Sequence, residues 1–214
     1  MSSIQDRPQP KHGDGAPRIR PGISDTLLVA GLVAGLAASI YALAVGIPGE
    51  LLWLLPGMAA VGAAALVRRR LPLHPLPGWF VVGTSVSLFG LLLSELTVGT
   101  ELIGAASLAL MNLFAQLFGL LSAICFTYLI GLFPDGQVYR RFERRILRVS
   151  WWLLLVPVLL LLATPVIPLP DYFVTDPIDN PLHLLSIGLD GDRAYSLIQL
   201  AYSVIVVGVV LLVL

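Results

Sequence analysis

Apolar residues along this chain run in long, nearly unbroken blocks rather than alternating at the period of a half-buried strand or an amphipathic surface helix. The blocks cover about 26–45, 51–67, 79–96, 102–133, 149–167 and 194–214, with shorter polar stretches between them. Roughly 17 to 25 apolar residues cross the hydrocarbon of a bilayer as one helix. The pattern therefore predicts an all-α, polytopic integral membrane protein, a six-helix transmembrane bundle with one outer loop at 168–193. Within it, Gly31, Gly35 and Ser39 recur every fourth residue and predict a face for close helix packing. Three prolines between Leu71 and Gly78 predict an irregular connector. The fourth block has 32 residues, about 48 Å as one helix, so it must tilt, project beyond the membrane or break near Gly104. Pro157 predicts a kink in the fifth.

Residues 1–25 carry four prolines, three glycines and four basic residues. Such a segment buries too little apolar surface to offset its ordering entropy, and it reads as a disordered basic tail. The basic stretch, apolar run and Ala42-Leu43-Ala44 imitate a secretory signal. The apolar run is longer than the roughly 7–15 residues of a signal core, so a retained first span is the better reading.

Composition agrees with the pattern. Hydrophobic residues make up 57% of the chain and charged residues 12%, with a mean hydropathy of +0.89; soluble domains carry about 25% charged residues. The net charge is zero, but its distribution is informative. Alternating six spans leaves twelve of the thirteen Lys and Arg residues on one side: four in the tail, Arg68 to Arg70, and five between Arg140 and Arg148. Arg193 is alone on the other side, with Glu50, Glu101 and five aspartates. Because Lys and Arg concentrate on the cytoplasmic side, both termini are expected in the cytoplasm, the acidic loop outside, and the protein in the cell membrane.

Candidate chemistry is sparse. With that topology Glu95, Asn112, Gln116 and Gln199 all fall in the outer half of the membrane, and they form a candidate outer-leaflet polar pocket for a small ligand, a peptide or a lipid headgroup. The alternative is that they only hydrogen-bond between helices, at about 0.6 kcal/mol each. Asp179 and His183 do not make a metal-ligand set of recognisable spacing. Cys125 is the single cysteine, which excludes an intrachain disulfide. No phosphate loop, HExxH or GxSxG is present. No catalytic residue, metal or cofactor is expected, and no nucleic-acid partner.

The sharpest local feature is Leu132 to Arg145, LFPDGQVYRRFERR. Pro134 and Gly136 predict a tight reversal between spans, with Asp135 hydrogen-bonding inside it. Arg140, Arg141, Arg144, Arg145 and Arg148, three or four apart, predict one charged face of a juxtamembrane helix that meets anionic headgroups at the cytoplasmic surface.

The LFPDG turn with its arginine-rich continuation resembles the N-terminal membrane region of an actinobacterial type of two-component sensor histidine kinase. Arg69-Arg70 with Pro72, Pro75 and Gly78-Trp79, and Asn180-Pro181-Leu182 in the outer loop, are similar to further features of that family. Gln137 departs from the arginine usual after the glycine, and the linker in the 70s carries an extra residue. The resemblance implies a membrane sensory module whose last span leads into a dimerising phosphoacceptor segment and an ATP-binding domain, both missing from this chain. A homodimer would form through that missing cytoplasmic region, and a response regulator would be met only through the missing kinase domain. The stop inside an apolar block at Leu214 is what a fragment would show. The alternative is a small stand-alone transporter or a lipid- or ligand-binding membrane protein.

Overall fold

The computed structural model describes residues 21–45, 51–71, 74–98, 104–133, 141–169, 177–185 and 188–213. Regular structure among them is helical: α1 (Pro21–Val45), α2 (Leu51–Arg70), α3 (Pro75–Val98), α4 (Ala105–Leu132), α5 (Arg141–Trp152), α6 (Leu155–Ala163) and α7 (Gly191–Val213). Among the described residues five stretches are long and apolar enough to cross a membrane: Asp25–Ala44, Pro75–Thr97, Ala105–Leu132, Arg141–Ala163 and Gly191–Val213. This is how multi-pass membrane proteins are built.

Helix boundaries differ from the apolar blocks for identifiable reasons. Helix α1 opens at Pro21, so it takes in the last residues of the segment read as tail; proline is pre-organised for a first helical position. The connector before α3 is shorter than three prolines predict. Pro75 and Pro77 lie inside the first turn of α3, where a backbone N–H has no helical partner anyway. His74 caps that turn, its Nδ1 accepting from the Leu76 N–H at 3.2 Å. Helix α4 is 28 residues long with Gly104 as its N-cap, about 42 Å, still longer than a bilayer core.

The fifth block is two helices in one crossing. At Leu153 and Leu154 the ladder tightens to bonds three residues apart, including Val156 N–H to the Leu153 carbonyl at 3.1 Å. Pro157, four residues after Leu153, has no N–H to offer that carbonyl. The expected kink is therefore a break one turn ahead of the proline.

The helices assemble as two groups, α1–α3 and α4–α7, joined by the extensive contact of α3 with α4. A Cβ added to Gly31 would meet Ser85 at 2.7 Å, and one on Gly35 would meet Met58 at 3.0 Å and Leu88 at 3.1 Å. The small face of α1 is thus seated on α3 and α2, with α1 and α3 parallel. Gly83 against Cys125 and Gly90 against Phe118 set α3 and α4 antiparallel, and the Ser122 hydroxyl donates to the Gly83 carbonyl at 2.9 Å. Gly119 against Tyr202 and Gly131 near Leu212 set α4 and α7 parallel. The bundle therefore has an arginine end, with Arg68 to Arg70 and α5, and an opposite end where residues 164–169 and 177–185 form a cap. At the arginine end Asp25 and Arg68 pair at 2.8 Å. Trp79 stacks on Tyr128 with ring centroids 4.5 Å apart, and the Trp151 indole N–H donates to the Tyr128 oxygen at 3.0 Å.

Candidate functional site

The cap begins where α6 runs out of partners for its last carbonyls, a need common to every helix C-terminus. The chain turns back across it, and backbone bonds join Ile167 to Ile178 and Asn180 to Pro165, at 2.9 and 2.8 Å. Buried Asn180 then uses its whole amide. Its Nδ2 donates to the carbonyls of Leu161 and Thr164 at 2.6 and 2.9 Å, and its Oδ1 accepts from the Leu182 N–H at 3.0 Å. The N–H groups of Leu184 and Leu185 share the Leu162 carbonyl at 2.9 Å each. Ile167, with Leu169, Ile178 and Leu182 beside it, packs on Leu108 and Ala109 of α4 and Leu161 of α6. Residues 164–169 and 177–185 thus form a lid seated on α4 and α6.

Asn112 belongs to this arrangement. It is buried on α4, and its Nδ2 donates to the Pro168 carbonyl at 3.1 Å. Glu95 is buried on α3, and the antiparallel register of α3 and α4 carries it to about the level of Asn112. Gln116 takes part through its backbone, whose carbonyl accepts from the Tyr202 hydroxyl at 3.3 Å. Gln199 is not in this group. It is exposed on α7 and donates to the Tyr195 oxygen at 2.8 Å. The structure thus brings Glu95 and Asn112 to one level beneath the cap and leaves Gln199 facing away from the bundle.

Asp190 caps the start of α7. Its Oδ1 accepts the Arg193 N–H at 2.8 Å, a helix N-cap bond, and its other oxygen lies 3.3 Å from the Arg193 guanidinium. The single basic residue at this end is therefore tied to an acidic neighbour. Helix α7 is held along one stripe: Ala194, Ile198, Ala201, Ile205 and Gly208 are buried, and Gly208 approaches Ile146 of α5.

Arg141, Arg144, Arg145 and Arg148 are all exposed on α5. Pro134, Asp135, Gly136 and Arg140 lie outside the described residues. Asp179 is exposed, and the His183 ring lies 2.8 Å from the Leu185 carbonyl oxygen; among the described residues no three of His, Cys, Asp and Glu converge.

Sequence reasoning missed Tyr202 and gave Asn180 no role of its own. Asn180-Pro181 after a proline-flanked helix end was the available signal for the second; an isolated tyrosine in an apolar block gives none. Compared with protein-family models, curated proteins and solved structures, the chain matches none of them.

Proposed function

We propose that this chain is the membrane-embedded input module of a two-component sensor histidine kinase, non-catalytic in itself. Six helices cross the cell membrane in this reading. The sixth crossing is α2, whose 20 residues measure about 30 Å. The arginine end and both termini are cytoplasmic, and the cap is outside. Arg141, Arg144, Arg145 and Arg148 meet anionic headgroups at the inner surface, dimerisation uses cytoplasmic segments beyond this chain, and the response regulator meets only the kinase domain.

The observation that supports the reading is that contacts hold both the cap and α7, which packs along the bundle to the arginine end. The described cap residues are clipped to α4 and α6, Asp190 caps the start of α7, and α7 is gripped by one narrow stripe as far as Gly208 on α5. A ligand or membrane state that favours one seating of the cap over another shifts α7 between two packings and changes their populations. The test is a chimera in which residues 1–214 precede the phosphoacceptor and ATP-binding segments of a characterised histidine kinase, with one to seven residues inserted at the joint. Kinase output that rises and falls with a period near 3.6 residues, and changes on N180A in the cap, supports the proposal. Output indifferent to both overturns it.

A further inference from the structure

The exposed flank of the α5–α6 crossing is graded along its length. Arg144, Arg148 and Trp151 lie four and three residues apart, so they form one stripe, and all three are exposed. Leu155 and Leu159 of α6 continue beyond them, exposed as well. From Arg144 to Leu155 is about 16 Å along the helix, against roughly 5–8 Å for the headgroup layer on each side of a bilayer. Charge, aromatic ring and apolar side chain thus follow in the order of a phospholipid's phosphate, glycerol esters and acyl chains.

The stripe ends against Tyr128 of α4, whose oxygen accepts the Trp151 indole N–H at 3.0 Å. Trp79 of α3 stacks on that tyrosine ring. This corner holds more donors than acceptors. The Tyr128 oxygen is taken by Trp151, while its own O–H meets no acceptor among the described residues. Neither does the indole N–H of Trp79, a residue more than nine-tenths buried. Helix α5 adds four arginines against one acidic residue, Glu143. Donors left without acceptors are costly out of water, and an anion beside arginines is the acceptor that relieves them best.

We propose that this corner is a discrete site for one anionic glycerophospholipid of the adjacent leaflet. Its phosphate is held by Arg144, Arg148 and the Tyr128 hydroxyl, and its chains run along Leu155 and Leu159. A guanidinium meets phosphate oxygens through two parallel N–H bonds, which a general attraction of basic residues to a charged surface does not require. The bound lipid bridges α4 and α5 where α5 leaves the bundle. The proposal requires only that Arg141–Ala163 crosses a membrane; it does not depend on the signalling reading.

Native mass spectrometry of the 214-residue chain, released from phosphatidylcholine membranes containing phosphatidylglycerol, tests it. One phosphatidylglycerol per chain should be retained after phosphatidylcholine has been stripped. Arg144→Gln with Arg148→Gln should lower the phosphatidylglycerol association constant about 5- to 25-fold, a factor of roughly five for each arginine. Arg69→Gln with Arg70→Gln removes the same charge at the same end, but from α2, which packs on α1 and α3. That pair should leave retention near the parent's. Tyr128→Phe should lower the constant about 3- to 20-fold, the span of hydrogen bonds between helices in membranes. Equal retention of the two lipids, a silent Tyr128→Phe, or a loss as large from the α2 pair as from the α5 pair would overturn the proposal. So would displacement of the lipid by soluble glycerol 3-phosphate.

Discussion

The Asn180 side chain and the Leu161 carbonyl are joined by a 2.6 Å hydrogen bond, and the same nitrogen reaches Thr164 at 2.9 Å. One amide thereby closes the end of α6 and fixes the turn that covers it. Leaving two buried carbonyls and the Leu182 N–H without that partner costs about 1–3 kcal/mol for each group that water does not reach. Asn180→Ala should therefore destabilise the protein by about 2–4 kcal/mol. Asn180→Asp should be worse, since a carboxylate oxygen would face two carbonyls. Unfolding in mixed micelles measures the loss, and amide exchange at 182–185 should accelerate first. A variant as stable and as protected as the parent would remove the cap from the account.

Tyr202 and Gly119 fix the contact of α7 with α4. A Cβ on Gly119 would overlap the Tyr202 hydroxyl oxygen, with the ring carbon bearing it at 3.2 Å. Gly119→Ala should cost about 1–3 kcal/mol through overpacking. Tyr202→Phe alone gives up a 3.3 Å bond to Gln116 and should cost under about 1 kcal/mol. Together the two should be milder than their sum, because the phenylalanine vacates the clashing position. A double-mutant cycle that is additive within about 0.5 kcal/mol would contradict this packing.

The helices were legible because each crossing needs an apolar block long enough to span hydrocarbon, and that block is visible without knowing what it touches. The packing face of α1 was legible for a related reason: Gly31 and Gly35 are useful only where another helix comes close, and the backbone at Ser85 and the side chain of Leu88 fill those places. Other features depend on partners distant in sequence. Asn112 looked like the wall of a polar pocket, but its bond is to Pro168, 56 residues on. Nothing local to Asn112 specifies that carbonyl. Proline signals also depend on position: at 75 and 77 they fall in a helix's first turn, while at 157 the proline denies a carbonyl its donor and breaks the helix at Leu153.

The aromatic group at the arginine end ties three elements together. Tyr128 stacks on Trp79 and accepts from Trp151, so it links α3, α4 and α5 just where α5 leaves the bundle. Tyr128→Phe keeps the stack and removes the acceptor, and should cost about 0.5–1.5 kcal/mol. In a cycle with Trp151→Phe the coupling should account for most of that loss. No coupling would mean that the indole bond is made to solvent or headgroups instead.

Orientation in the membrane rests on charge and can be measured directly. With the arginine end inside, twelve of thirteen basic residues are cytoplasmic, and the one that is not, Arg193, sits against Asp190. Leu184 is 75% exposed on the cap and Arg145 is exposed on α5, so a cysteine at either site reports its side without disturbing packing. In intact cells carrying Cys125→Ala, a membrane-impermeant maleimide should label Leu184→Cys at once and Arg145→Cys only after permeabilisation. Replacing Arg141, Arg144, Arg145 and Arg148 by glutamine removes about a third of the inside charge but leaves Arg68 to Arg70 and the tail in place. Because the rule counts all basic residues near span ends, the labelling pattern should then blur without inverting. Inversion by that replacement alone would mean that α5, rather than the summed charge, sets the topology. The reverse pattern in the unsubstituted chain would place the cap in the cytoplasm and overturn the orientation.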